Sequence, residues 1–210
     1  MTASLDMARN PDRLFWQEVP RGFLRDAVKC LFRSYEVACD ECSQLPNEEA
    51  HDLRPYARRA HFEAGLRDIA GRHRGVVASV HRNKAKNWSH THIRCGQLVL
   101  TESAVEFPAQ IVRHAEFRKT YARSNQFLLF ESAVPPSADA PLYCILLHGV
   151  SSDPRVPLFA RIVFPLPHCG GYVEGSSIDL LALFKGEMAQ ATRTSARGTK
   201  PRFETKPEVA

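Results

Sequence analysis

The spacing of apolar residues predicts two helices in the first third of the chain. From Arg21 to about Cys42, apolar side chains recur every three or four residues, which is the pattern of an amphipathic helix. After a polar loop, a second helix is expected from about Leu53 to His73, with Asp52 as its N-cap. This part of the chain is therefore predicted to be helical.

Beyond residue 75 the pattern changes to the alternation that is typical of strands. Residues 75–82 and 91–103 are predicted strands joined by a polar connection, and Gly96 is expected to form a bulge inside the second. Residues 142–149 and 158–165 are both rich in apolar side chains and are separated by a short polar turn, which predicts a hairpin.

The remaining patterns are a helix from Pro108 to about residue 125, a strand at 125–132, a Gly-rich link at 168–177 and a final helix with Ser177 as its N-cap. Strands and helices do not alternate strictly, and the connections between successive strands are mostly short. We therefore predict an α+β fold in which an antiparallel sheet packs against the N-terminal and central helices.

The 210 residues suit one domain. We expect a loosely structured segment at 1–20, a single α+β domain at 21–191 (helical over 21–74, mixed over 75–191) and a disordered basic C-terminal tail at 192–210.

Composition favours a soluble cytoplasmic protein. The hydrophobic fraction of 44% is sufficient for a packed core, and the sequence contains neither an apolar run long enough for a membrane span nor the pattern of a signal peptide. The six Cys are irregularly spaced, so reduced thiols are expected rather than a disulfide framework. Cys39 and Cys42 form a CxxC without a second such pair, and we predict that they are buried thiols on a helix.

Charge is unevenly distributed along the chain. Residues 54–123, called the basic segment below, hold 14 Lys or Arg against 5 Asp or Glu, a net charge of +9, and six of the nine His. A polyanion-binding surface needs such a concentration, because each neutralised phosphate releases counterions. Alternatively, the charges lie on different faces and keep the protein soluble. Arg58 and Arg59 are expected on the solvent face of their helix.

The segment VHRNKAKNWSHTHIRC, residues 80–95, lies inside the basic segment and contains no acid. Its cations and amides suit phosphate contacts, and Trp88 offers a face for base stacking, worth roughly 1–3 kcal/mol per base. An ordinary polar hairpin with Trp88 folded onto the sheet is the alternative. The predicted nucleic-acid contacts, including a second cluster on the helix after Pro108, are Arg82, Lys84, Lys86, Asn87, Trp88, Arg94, Arg118, Lys119 and Arg123.

His90 and His92 support two further hypotheses. Because they are two residues apart on a strand, they face the same side, and Cys95 faces the other. With His81 opposite, they would form three ligands of a zinc site, although the surrounding Lys and Arg disfavour a dication. Without metal, they would be the catalytic acid and base of a small ribonuclease.

Most motifs of known chemistry are absent. The sequence contains no Walker A, GxGxxG, HExxH or GxSxG pattern, and its only Glu-x-Lys lies at Glu204–Lys206 in the predicted tail. No cofactor and no metal are predicted. The first hypothesis is a nucleic-acid or polyanion-binding protein with DNA or RNA as its partner, and the second is the ribonuclease. The third is a subunit that contacts a partner protein through Phe15 and Trp16.

Overall fold

The computed structural model describes residues 11–83, 86–128 and 141–187. Over these residues the chain forms five α-helices and six strands, which confirms the predicted α+β fold. The helices are α1 (Pro11–Glu18), α2 (Arg21–Cys42), α3 (Asn47–Ala70), α4 (Glu116–Ala122) and α5 (180–187). The strands are β1 (Val76–Arg82), β2 (Ser89–Cys95), β3 (Leu98–Ala104), β4 (Leu142–Val150), β5 (Pro157–Pro165) and β6 (Tyr172–Asp179).

The six strands form one sheet in the order β1-β2-β3-β4-β5-β6. Every neighbouring pair is antiparallel except β3 and β4, which run parallel with Leu98 opposite Leu142 and Ala104 opposite His148. In the described part of the chain between them, α4 lies over one face of the sheet. The carboxyl ends of β3 and β4 therefore lie side by side at one edge of the sheet, the usual position of ligand sites in parallel arrangements.

Each face of the sheet has its own core. On one face, α2 and α3 pack on the sheet through a large cluster that includes Phe23, Tyr35, Phe62 and Phe164. Phe15 of α1 belongs to this cluster and is fully buried, whereas Trp16 beside it is 42% exposed. On the opposite face, a smaller cluster under α4 contains Val99, Ile145 and Ala122 among others.

Helix α2 matches the prediction, but α3 begins six residues earlier than expected. Its N-cap position is Pro46, and Glu48 and Glu49 lie in its first turn, where acidic side chains complement the helix dipole. Pro55 lies inside the helix and removes one backbone hydrogen bond, which an exposed surface tolerates because water replaces the partner. Asp52 is therefore a helical residue and not the cap.

The strand predicted at 91–103 is two strands. Gly96 lies at the tight turn between β2 and β3 with a φ of +51°, a conformation that favours glycine, so the predicted bulge is a hairpin turn. The carboxylate of Glu18 occupies the place where a Cβ at this position would lie. The hairpin of β4 and β5 is confirmed.

The predicted helix at 108–125 is much shorter. Helix α4 begins only at Glu116, and residues 105–115 form an irregular segment that covers the sheet edge. Residues 123–128 form a 3-10 turn where a strand was expected, and 129–132 of that strand lie outside the described residues. The buried side chain of Asn125 explains the turn, because it hydrogen-bonds the backbone N–H and carbonyl of Tyr143 at 2.8 Å each.

The Gly-rich link at 168–177 was also wrong, because residues 172–179 form strand β6 on the edge of the sheet. Ser177 is consequently a strand residue, and Asp179 caps α5 by accepting a hydrogen bond from the N–H of Ala182 at 3.0 Å. Within the segment expected to be loosely structured, Pro11–Glu18 form α1. The predicted tail at 192–210 lies outside the described residues. Over the ranges the structure describes, no helix is long and apolar enough to cross a membrane.

Candidate functional site

A cleft of about 1290 Å³ opens at the edge of the sheet where β3 and β4 end. One wall is α3, the second is the irregular segment 105–115 with α4, and the third is the end of the β1–β2 hairpin. The lining is rich in cations and rings. The lining includes Tyr35, Tyr56, Arg58, Arg59, His81, Arg82, Trp88, His90, His92, Glu102, Arg113, Phe117, Arg118 and Tyr121.

Arg59 connects the walls of this cleft. Its Nη2 lies 2.6 Å from Oε1 of Glu63 on the same helix, and its Nε lies 3.3 Å from Oε1 of Glu102 on β3. The same Nη2 donates to the carbonyl of Ser89 and lies 3.1 Å from Nδ1 of His90. One guanidinium therefore holds α3 against the amino end of β2 and the carboxyl end of β3.

Glu102 continues into a buried chain of hydrogen bonds. Its Oε2 lies 3.1 Å from Nε2 of His148, and Nδ1 of His148 lies 2.9 Å from the hydroxyl of Tyr35. A neutral imidazole with its proton on Nε2 satisfies all three groups, because it donates to the carboxylate and accepts from the phenol. Burial raises the pKa of Tyr35 to about 12, which keeps this hydroxyl a donor at neutral pH.

The pKa values of the two carboxyl groups that bind Arg59 are shifted in opposite directions. Burial alone would raise the pKa of Glu102, but the hydrogen bond from His148 and the charges of Arg59 and Arg118 bring it below its usual value. The pKa of Glu63 is raised by burial and by the charge of Glu102, against the effect of Arg59. At neutral pH Glu102 is therefore ionised and bound to cations, so it contributes little free negative charge to the cleft.

Trp88 forms a flat platform at the cleft mouth. The guanidinium carbon of Arg59 lies 4.4 Å from the centre of its ring, and the ring of Tyr56 meets it edge-on at 5.8 Å. The side chain is 39% exposed, so Trp88 is not folded back into the core. A cation against an aromatic face stabilises the ring by about 0.5–1 kcal/mol at exposed sites.

Three histidines line the wall opposite α3. The register of the β1–β2 hairpin pairs His81 with His90, and the rings of His81 and His92 stack at 4.2 Å. Phe117 from α4 packs against His90 at 4.5 Å and His92 at 5.1 Å, measured between ring centres. His90 and His92 share a face as predicted, and buried Cys95 lies in the core of the opposite face.

Both imidazoles facing Phe117 are neutral at pH 7. Burial, with the charge of Arg59, lowers the pKa of His90 to about 4, and burial with the neighbouring His81 lowers the pKa of His92 to about 4. Nδ1 of His90 accepts from Arg59, so its proton is on Nε2, which makes that atom a hydrogen-bond donor. These histidines suit hydrogen bonding to an anion better than proton transfer at neutral pH.

Several buried nitrogen atoms in the cleft lining have no hydrogen-bond partner in the described part of the chain. They are Nε and Nη1 of Arg58, Nε of Arg118 and Nε2 of His92. The buried acids near them are bound, as described for Glu63 and Glu102. An excess of buried donors over acceptors is costly unless a ligand supplies the acceptors.

Of the nine predicted nucleic-acid contacts, three line the cleft, together with both histidines of the predicted catalytic pair. Arg82, Trp88, His90, His92 and Arg118 line it. Lys86, Asn87, Arg94, Lys119 and Arg123 do not, and Lys84 lies outside the described residues. Arg118 is buried and holds the irregular segment, donating to the carbonyls of Arg113 and Glu102 and to the hydroxyl of Ser103.

Sequence reasoning missed the contribution of α3. Arg58 and Arg59 were expected on its solvent face, but Arg58 is buried and Arg59 is only partly exposed. Glu102 and Arg113 were also not assigned to the site. The signal that was available is the charged pair Arg59 and Glu63, four residues apart on α3, because such a pair shares one helix face.

Among residues 11–83, 86–128 and 141–187, no three His, Cys, Asp or Glu side chains come together in a way that would hold a metal ion. The stacked geometry of His81 and His92 agrees with this, because parallel rings direct their nitrogens along their own planes and not toward a shared point. Cys39 and Cys42 are free, buried thiols at the end of α2, as expected. Comparison with protein-family models, with curated proteins and with solved structures finds no match for this chain.

Proposed function

We propose that the protein binds single-stranded nucleic acid in the cleft at the ends of β3 and β4. The observation that supports this most directly is the partial exposure of Trp88. Its indole ring packs on the guanidinium of Arg59 and contacts Tyr56 edge-on. A base stacked on an aromatic side chain contributes roughly 1–3 kcal/mol and requires no particular sequence. Unpaired bases are needed, because a paired base does not expose its face.

The charge of the cleft supports an anionic partner. Arg82 and Arg113 are exposed on different walls of the cleft and form no ion pair with a described residue, so they are available to phosphates. The lining holds five arginines against four acids, which are Asp52, Glu102, Glu106 and Glu116. The buried one, Glu102, is compensated by the charge of Arg59 and receives a hydrogen bond from His148. The neutral Nε2–H of His90 adds a donor of the kind that contacts phosphate oxygens.

The ribonuclease hypothesis is not retained as a proposal for neutral pH. An acid–base pair of histidines needs one protonated imidazole, and the low pKa of both His90 and His92 confines that form to pH values near 4 and below. Incubation of RNA with the protein at pH 7, followed by analysis of strand length, tests this directly.

The proposal is tested by fluorescence of a Trp16→Phe variant, in which Trp88 is the single remaining tryptophan. Titration with single-stranded DNA and RNA oligonucleotides should quench Trp88, and the affinity should fall as salt rises. Trp88→Leu, followed by anisotropy of a labelled strand, should weaken binding by roughly 10-fold. Absence of quenching at low salt, or an affinity independent of salt, would overturn the proposal.

A further inference from the structure

Arg58 is a buried cation without an acidic partner. Its side chain is only 7% exposed, and none of its nitrogens forms an ion pair with a described residue. Its Nε and Nη1 are fully covered and also make no hydrogen bond there. Arg59 beside it, in contrast, binds two carboxylates. Two adjacent arginines of one helix therefore have opposite environments.

Such a group is unfavourable in the free protein. Burying a guanidinium removes its hydration, and the cost is offset only when an anion and hydrogen-bond acceptors replace the water. The cation–π contact with Tyr35, whose ring centre lies 4.3 Å from the guanidinium carbon, and the interaction with the Tyr35 hydroxyl supply a part of this but no anion, and Nε and Nη1 keep no acceptor among the described residues. Arg58 nevertheless lines the cleft, so a ligand there is the available source of the missing anion.

The surroundings of Arg58 are held rigidly. The hydroxyl of Tyr35 is fixed by Nδ1 of His148, and His148 is fixed by Glu102. The guanidinium of Arg58 thus packs on a ring whose hydroxyl is held by His148. A fixed guanidinium suits bidentate binding of a phosphate group, whose oxygens match its two parallel N–H donors.

We propose that Arg58 binds the terminal phosphate of the strand that the cleft accommodates, so that the protein recognises a phosphorylated strand end. This inference rests on the proposed function. Because Arg58 is only 7% exposed, the group best able to approach it is one that projects from the end of a ligand. An internal phosphodiester is flanked by a nucleoside on each side, and a terminal phosphomonoester is not.

Charge also favours a terminal phosphate over an internal phosphodiester as the partner of Arg58. A terminal phosphate carries close to two negative charges at pH 7 and three unesterified oxygens, whereas an internal diester carries one charge and two such oxygens. The additional charge would compensate the buried cation of Arg58, which has no acidic partner among the described residues. A strand end without phosphate would leave this guanidinium buried and unpaired in the complex.

The experiment compares three forms of one short labelled oligonucleotide, with a 5′-phosphate, with a 3′-phosphate and with hydroxyls at both ends. Each is titrated into the full chain at one fixed salt concentration. We expect one of the two phosphorylated strands to bind ~10-fold more tightly than the unphosphorylated strand, the effect of a charge-assisted hydrogen bond. Arg58→Gln should abolish this difference, and Arg94→Gln, which alters an exposed arginine outside the cleft, should preserve it.

The outcomes separate the inference from the function on which it rests. Equal binding of all three strands, with quenching of Trp88 and salt dependence intact, would overturn the recognition of a phosphorylated end and leave the proposed function standing. A preference that persists in Arg58→Gln would also overturn it. Failure of every strand to bind would overturn the proposed function itself, and the inference with it.

Arg58→Met is a second variant, in case Arg58→Gln does not fold. It keeps an aliphatic chain against Tyr35 and removes the buried charge. We expect its melting temperature to equal or exceed that of the parent protein, since an unpaired buried cation is lost. Inorganic phosphate should raise the melting temperature of the parent, relative to sodium chloride of equal ionic strength, and not that of Arg58→Met. An equal rise in both proteins would contradict the assignment.

Discussion

Arg59 and Trp88 are in contact across the cleft, with the guanidinium carbon 4.4 Å from the centre of the indole ring. The same guanidinium is bound by Glu63 and Glu102, which are both buried. The ring therefore rests on a group that is itself fixed by the fold. A platform fixed before a base arrives loses less side-chain entropy on binding than a freely rotating one, which benefits affinity.

Arg59→Ala should lower both stability and strand binding. Removal of the cation takes from two buried carboxyl groups the guanidinium that they share, which costs about 3–5 kcal/mol. The free energy of unfolding, measured by urea denaturation at pH 7, should fall by that amount. Quenching of Trp88 in the Trp16→Phe background should weaken as well, because the ring has lost its support.

The loss in Arg59→Ala should be smaller at pH 5 than at pH 7. Without the guanidinium, the pKa values of Glu63 and Glu102 rise in the folded protein above those in the unfolded chain. Groups with raised folded pKa values favour the folded state at low pH, and this contribution disappears as pH rises. A loss of equal size at both pH values would show that the carboxylates do not depend on Arg59.

Tyr35→Phe should destabilise the protein by about 1–3 kcal/mol, because it leaves Nδ1 of His148 buried without a partner. Tyr121→Phe is the matched control. Its hydroxyl lies 3.4 Å from Nδ1 of His92, a weak contact, so its removal should cost less than Tyr35→Phe in the same thermal or urea measurement. An equal effect of the two substitutions would contradict the importance of the Tyr35–His148–Glu102 chain.

The sequence predicted elements whose burial follows a simple period. Helix α2 and the β4–β5 hairpin bury apolar side chains regularly, and both were found. The start of helix α3 was predicted six residues too late, and β6 was not predicted. In both elements the buried side chains do not form a continuous apolar stripe. Glu63 is buried on α3 through hydrogen bonds to the N–H and hydroxyl of Thr91, a compensation that lies on a distant strand and leaves no local pattern.

The candidate site was predictable only in part for a related reason. Trp88, His90 and His92 were identified because they are close together in the sequence. Arg58 joins them through the packing of α3 on α2, β1 and β2, and Arg113 through the irregular segment after β3, and no local pattern records either contact. The net charge of the basic segment indicated a concentration of cations. It did not indicate that five of its arginines line one cleft.

Arg82→Gln and Arg113→Gln should each weaken strand binding and reduce the dependence of log affinity on log salt by ~1, the effect of losing one phosphate contact. Both side chains are exposed in the cleft, so stability should change little. Arg94→Gln and Arg123→Gln lie in the same basic segment but outside the cleft, and they should retain the parent affinity. A uniform loss in all four variants would indicate a diffuse electrostatic surface and contradict binding in the cleft.

Acid should destabilise the protein through His90 and His92. Their pKa values are lowered to about 4 in the folded state, against about 6.5 in an unfolded chain. Between these values the unfolded chain takes up protons that the folded protein excludes, so the free energy of unfolding falls as pH decreases from about 6.5 toward 4. Above pH 6.5 this contribution is complete and independent of pH.

His92→Gln isolates the contribution of one imidazole to acid destabilisation. It removes the more deeply buried of the two and keeps a polar side chain beside Phe117. Its free energy of unfolding, measured in urea from pH 7 to pH 4, should decline less steeply than that of the parent. Comparing the two proteins cancels the titration of carboxyl groups, which both share. If His92→Gln and the parent decline in parallel, burial does not lower the pKa of His92 below its value in the unfolded chain, which would contradict the neutral imidazole inferred beside Phe117.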